Sequence, residues 1–368
     1  MFRECVRTLR DRGLRVANEF ELFSKNLAPV TFVTEKADWA IKTVGVQIQT
    51  NVNQLMGYDF LTTTDRLLFG KTQLVHFGSQ YMWLESRHTL PNRTKSVVSF
   101  FHGKPDDGPE VAMHIDRFLS VANLAQKIVV PNSIMEKRCR AWGIDPKRLV
   151  KIPIGCDTER FRLNDDDDRK IELRKRFGIP CDAFVVGSFQ KDGDGWGDGL
   201  QPKLIKGPDL FVETMIELKK THNVFVLLTG PARGYVKSRL DEGGIPYLHR
   251  YIESLDDIVD FYHSLDLYLV SSREEGGPMG LTEAIASGVD VISTDVGQAR
   301  DIMGKIAPDR LVAGFGYLDI VEAIEHEMAN HSDFKSQVKR ELRQEVVSKY
   351  DWQVVAKSHL DKVYLDNL

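Results

Sequence analysis

The chain contains no apolar run near the ~18–20 residues that cross a bilayer, and its first residues carry too many charges for a signal peptide. No sign of charge dominates. Lys and Arg number 49 against 53 Asp and Glu, a net charge of −4, so no overall basic field draws nucleic acid. Only four cysteines occur, Cys5, Cys139, Cys156 and Cys181, with no CxxC and no regular spacing. That argues against a disulfide framework and fits reduced thiols in a cytoplasmic protein. Neither GxGxxG nor GxxxxGK is found, which leaves a dehydrogenase or P-loop reading without support. Internal repeats and low-complexity tracts are also missing.

What is present suits a folded protein of two domains. Of 368 residues, 42% are hydrophobic and 28% charged, enough to bury two cores. Short apolar runs alternate with helical patterns. Strands are expected near residues 30–33, 58–61, 74–77, 96–101, 127–130 and 149–154, then 184–189, 224–229, 247–251, 265–270, 289–293 and 310–313. Helical patterns lie between them, as at 45–55, 80–86, 109–123, 133–142, 208–220, 255–263 and 281–287. Such alternation predicts two doubly wound parallel sheets, with ligands at the carboxyl ends of strands and in a cleft between domains. The acidic stretch 164–170 marks a linker; its aspartates read as a solvated cap before a short helix rather than a metal site.

The most informative segment is Ser271–Glu283, SSREEGGPMGLTE. It joins an apolar strand to a helix through Gly276, Gly277 and Gly280. The first N–H groups of a helix lack partners and carry partial positive charge, so a glycine-rich strand-to-helix turn can cradle a diphosphate. Glu283, just inside the helix, is placed to accept bonds from a sugar diol, and Glu275 stands eight residues before it. Lys206 precedes Gly207-Pro208, a helix start, where an ammonium can neutralise a leaving diphosphate. Lys191 and Lys203 lie in the same glycine-rich loop. Arg233 ends another strand and reads either as a phosphate or base contact or as a surface residue. His102 follows a first-domain strand at its carboxyl edge; His76 has a weaker claim.

Together these pieces resemble the retaining glycosyltransferases of family 4. The residues that carry the resemblance are Glu275-Gly-Gly-Pro-Met-Gly-Leu-Thr-Glu283, Ile152-Pro-Ile-Gly-Cys-Asp157 with Phe161, Lys206-Gly207, Ser293-Thr-Asp-Val-Gly297 and Tyr350-Asp-Trp352. The resemblance implies the GT-B fold: α/β, two doubly wound Rossmann-like domains facing each other across a cleft. Residues 1–160 would be the acceptor domain, 161–345 the nucleotide-sugar donor domain, and 346–368 a helix crossing back to the first domain.

The resemblance also implies roles. Glu283 would bind the ribose and Glu275 the donor hexose. The N–H groups of Gly276, Gly277, Met279, Gly280 and Leu281 would hold the diphosphate and sugar hydroxyls. Lys206 would stabilise the leaving diphosphate, and His102 would sit beside the transferred sugar. The family often has an arginine where this chain has Ser188, so a second cation must come from Lys191, Lys203 or elsewhere. The usual glycine pair of the first loop is replaced by Glu35–Gly45.

The expected activity is transfer of a hexose from a nucleotide diphosphate sugar to a glycan, lipid-linked or other hydroxyl acceptor, with retention and without cofactor or metal. A nucleotide-sugar isomerase (epimerase) or a non-catalytic sugar-nucleotide binder on the same scaffold remain alternatives. One local feature stands apart. Residues 1–16 hold five arginines against two acids, with Phe2, Cys5, Val6 and Leu9 at helical spacing. Packing of that apolar stripe on the domain is the preferred reading. Peripheral contact with the inner face of a membrane is the other.

Overall fold

The computed structural model describes residues 2–20, 28–36, 40–164, 166–195, 197–252, 255–329 and 332–368. The chain divides into two compact units: residues 1–154 with 352–368, and residues 155–351. The first division thus falls earlier than the expected 160/161 and the second later than 345/346. Both crossings are tied down inside the second unit, where Cys156 N–H donates to the Tyr350 carbonyl (2.7 Å) and Cys156 bridges Asp351.

The first unit holds a six-stranded sheet. Its strands are β1 Val30–Val33, β2 Leu61–Thr64, β3 Leu74–Phe77, β4 Lys95–Ser99, β5 Lys127–Val130 and β6 Leu149–Lys151, in spatial order β2-β1-β3-β4-β5-β6. Every pairing is parallel. A parallel sheet needs helices on both faces, which explains why β1 and β3 are buried at every position. The edge strand β2 runs three residues later than the expected 58–61. Its threonines are only half buried, so no hydrophobic alternation announces it. The Asn53 side chain fixes its start by bonding both the N–H and the C=O of Leu61 (2.8 and 2.9 Å).

The second unit repeats the plan. Its strands are β7 Phe184–Phe189, β8 Val224–Thr229, β9 Tyr247–Arg250, β10 Leu267–Val270, β11 Asp290–Thr294 and β12 Leu311–Val312, ordered β12-β11-β10-β7-β8-β9 and all parallel. Successive residues of β8 feed opposite cores: Phe225 and Leu227 one, Val224, Val226 and Leu228 the other. The chain runs β7-β8-β9 toward one edge and β10-β11-β12 toward the other. The strand order therefore reverses between β7 and β10, the point at which open α/β sheets bind ligands. The acidic linker is a helix cap, as expected: the Asp166 carboxylate accepts from the N–H groups of Asp168 and Arg169 ahead of the helix Asp167–Phe177. Among the described residues, no helix is long and apolar enough to cross a membrane.

The C-terminal helix Trp352–His359 and the turns after it pack within the first unit, against the helix Ala40–Met56. Their seat explains His76. It is fully buried on β3, bonded through Nδ1 to the Tyr364 hydroxyl and through Nε2 to Ser99 Oγ (2.9 Å each). It is thus part of the packing rather than a site residue. The buried His359 ring lies 5.6 Å away. Burial holds His76 well below the usual histidine range and His359 at about 3.

Both groups bind fewer protons folded than unfolded. Their stability contribution is complete above about pH 6.5 and is lost as pH falls below it, by up to ~1.4 kcal/mol per pH unit for each ring. Urea midpoints measured across that range should fall less steeply in a His359→Leu variant than in the wild type.

Candidate functional site

The site grows from the carboxyl ends of the two strands at the reversal. After β7, residues 190–203 form a loop that ends in a single turn, Leu204–Lys206. Gly207 then takes φ +63° and the helix Pro208–Leu218 begins. Only glycine fits at 207: the conformation is left-handed, and a β-carbon there would collide with the Ser271 carbonyl at the end of β10. The two strand-end loops are stitched together. Ser271 Oγ donates to the Gly207 carbonyl (2.9 Å), and Arg273 N–H to the Ile205 carbonyl (2.8 Å). Arg273 also forms a bidentate pair with Asp209 (2.6 and 2.7 Å).

This stitching brings the two expected catalytic groups of the unit together. Lys206 Nζ lies 2.6 Å from Glu275 Oε1, and Ser272 Oγ donates to the same oxygen at 2.9 Å. Glu275 is buried and Lys206 half-buried. Gln190 Nε2 reaches the Lys206 carbonyl (3.2 Å), fixing the turn from the β7 side. Lys203, immediately before that turn, is exposed. Desolvation, then the like charges of Lys206 and Lys191, hold its ammonium below the usual lysine range. The carboxylates of Asp194 and Glu275 oppose them, so three ammonium groups and two carboxylates share one neighbourhood.

The helix Met279–Ala286 starts beside this cluster. Its cap, Pro278, makes no side-chain bond to the first N–H groups, while the Leu281 N–H donates to the Pro278 carbonyl (3.0 Å); a helix start without a side-chain cap can receive an anion. Gly276 is buried, whereas Gly277, Met279 and Gly280 are partly exposed and Leu281 is buried in the core. Gly280 also has a packing role, since a β-carbon there would collide with the Tyr268 ring and hydroxyl. Glu283 lies one turn into this helix. It keeps some exposure, yet Tyr262 donates to its Oε2 at 2.7 Å and protein surrounds it. Burial pushes its carboxyl up to about 7, against the lowering effects of the Tyr262 hydroxyl and Arg160.

Arg233 is not a surface residue. Its guanidinium is wholly buried, donating Nη1 to the carbonyls of Ser188 (2.7 Å), Gln190 (2.8 Å) and Thr229 (3.0 Å) and Nη2 to Ser188 Oγ (3.2 Å). Nη2 also pairs with the buried Asp192 at 3.1 Å. The Asp192 carbonyl in turn accepts from Lys203 N–H (2.8 Å). Arg233 is a strut that joins β7 and β8 to the base of the lysine loop. Gly193 and Gly199 carry no β-carbon because the loop lies directly on the Ala232 backbone. His102 lies in the first unit, exposed, just beyond β4. Part of the loop that replaces the glycine pair, residues 37–39, lies outside the described residues.

Sequence reasoning missed Tyr262, Ser272, Gln190 and Asp192. Gln190 directly follows a strand at the reversal, a signal that strand order would have supplied. Among the described residues, no cluster of three or more His, Cys, Asp or Glu side chains is placed to hold a metal ion.

Residues 200–344 match the family model "Glycosyl transferases group 1". That stretch contains Lys203, Lys206, Glu275 and Glu283. The chain is 30% identical over 157 residues, 40% of its length, to the lipopolysaccharide core biosynthesis mannosyltransferase LpsB of Rhizobium meliloti, covering 41% of that protein. It spans about half the length of the curated relatives it matches. Among solved structures, sucrose-phosphate synthase from Thermosynechococcus elongatus superposes with a TM-score of 0.74 at 14% identity, covering 92% of this chain and 98% of the other. Anabaena Alr3699/HepE in complex with UDP-glucose gives 0.73 at 14% identity, covering 92% and 99%. The fold is GT-B.

Removing Arg233 would strand the buried Asp192 carboxylate, which burial already pushes up to about 6. An Arg233→Met variant is expected to lose ~3–5 kcal/mol of stability, and Arg233→Met with Asp192→Leu to regain most of it. Urea unfolding of the three proteins checks this.

Proposed function

We propose that the protein transfers a hexose from a nucleotide diphosphate sugar to an acceptor hydroxyl in the cytoplasm, with retained anomeric configuration and no metal ion. This would make it a family 4 retaining glycosyltransferase. The observation that carries the reading is the convergence, at one sheet's reversal point, of Lys206, Glu275 and an uncapped helix start with Glu283 one turn in. The match of residues 200–344 to glycosyl transferases group 1 supports sugar transfer. The UDP-glucose held by Anabaena HepE supports a nucleotide-sugar donor.

In this reading the first N–H groups of Met279–Ala286 receive the diphosphate and Glu283 accepts both hydroxyls of the ribose. As the bond from the sugar C1 to the diphosphate oxygen breaks, negative charge gathers on that oxygen. Lys206 and the helix dipole stabilise it. The acceptor oxygen bonds to C1 on the face being vacated, and its proton passes to the departing phosphate oxygen. Glu275 holds the Lys206 ammonium in place and receives a hexose hydroxyl. Lys191 or Lys203 supplies the second positive charge that Ser188 cannot. Contact between His102 and the transferred sugar, which the resemblance implies, is part of the same proposal. The acceptor is a glycan or another hydroxyl compound.

A panel of UDP-, GDP- and ADP-sugars tests the reading. Lys206→Ala should lower kcat on the order of 100-fold or more with the donor that works; undiminished turnover would overturn the role of the lysine.

Glu283 gives a second test. The diol needs the ionised carboxylate, and the free protein holds a proton there below about pH 7. Affinity for the nucleotide sugar is therefore full above that pH and weakens toward tenfold per unit below it. A nucleotide sugar has no phosphate ionisation of its own in this range. Calorimetric titration at several pH values should show the slope in the wild type, and a flat, weaker profile in Glu283→Gln.

A further inference from the structure

The first helix, Phe2–Glu19, is docked with its polar side inward. Asp11 is buried and bonds His88 Nε2 at 2.8 Å. Asn18 is buried, donating to the carbonyls of Leu67 (2.8 Å) and Thr89 (3.1 Å) and accepting from Phe69 N–H (3.0 Å). Seven residues apart, these two side chains form one stripe. Leu9 and Val16 each precede one of them by two positions, about 200° of helical rotation, and so face the opposite way. They are 64% and 53% exposed, and Phe20, one turn past Val16, is 70% exposed. This corrects the expected packing: Leu9 does not lie on the domain. The side chains of Phe2, Cys5 and Val6 fall outside what is described.

A surface helix ordinarily buries its apolar stripe and solvates its polar one. Here specific hydrogen bonds hold the reverse arrangement: Arg10 bonds the buried Asp11 through Nε and Nη2 (3.1 and 2.9 Å), whereas Arg12 is exposed beside the outward stripe. We propose that this helix lies on an anionic lipid surface, with Leu9, Val16 and Phe20 among the acyl chains and Arg12 at the phosphates. Charge and area together select this occupant. A second copy seated helix to helix would oppose arginine to arginine. Three side chains on one short stripe also fall far below the ~800 Å² per partner of a stable dimer. An anionic bilayer needs only an apolar stripe flanked by cations. The inference is independent of the sugar reading, since neither the stripe nor its arginines belong to the candidate site.

The test is co-sedimentation of the full chain with vesicles of phosphatidylcholine alone, or of equal parts phosphatidylcholine and phosphatidylglycerol, at low and high salt. Binding is expected only with phosphatidylglycerol and should weaken as salt rises. Leu9→Ser with Phe20→Ser should weaken it at least about tenfold, and Arg12→Glu should weaken it as well. Because these side chains are exposed, the thermal midpoint should stay at the wild-type value, which separates loss of binding from loss of folding. The proposal is overturned by no vesicle binding, by equal binding to both vesicle types, by wild-type binding in the variants, or by a concentration-dependent dimer in place of vesicle binding.

Discussion

The contact between the loops that follow β7 and β10 governs the second unit. Ser271 and Gly207 touch backbone to backbone, and no side chain fits between them. That approach sets Lys206 against Glu275 at 2.6 Å, although 68 residues separate them in the chain. Parallel strands place their carboxyl ends side by side, and the reversal of strand order opens a space between the connections that leave them. The chemistry proposed for this chain needs a cation, an anion and free backbone N–H groups within a few ångströms. The sheet provides all three by topology.

A second layer of residues fixes the first. Arg233 spans the ends of β7 and β8 and meets Asp192, whose own carbonyl holds Lys203. Gln190 holds Lys206, Ser272 holds Glu275 and Tyr262 holds Glu283. Buried polar groups of this kind are costly when a partner is lost, so each of these contacts constrains its neighbours. The partial burial of Glu283 has a further consequence. A carboxyl pushed up to about 7 gives the proposed donor site a pH dependence in the neutral range.

The same logic, inverted, distinguishes the first helix. Elsewhere apolar side chains turn inward and form cores on both faces of each sheet. In Phe2–Glu19 the buried side chains among those described are an aspartate and an asparagine, each with partners. Periodicity located the helix and its arginines. It could not tell which stripe faces the domain, because that depends on whether acceptors and donors such as Thr89, Leu67 and His88 wait beneath it.

Residue order alone determined the two rounds of strand and helix, the bounds of β1, β3, β5, β7 and β8, and the strand–glycine–helix segment that carries Glu275 and Glu283. Those features depend on local pattern: apolar runs of strand length, helix punctuation, and glycine where backbone must come close. Tertiary structure alone decided that Lys206 meets Glu275, that Arg233 is a strut, that His76 belongs to the packing of the C-terminal tail, and that Leu9 faces outward. Each of these depends on partners distant in sequence, and burial and hydrogen bonding are settled only when such partners are brought together.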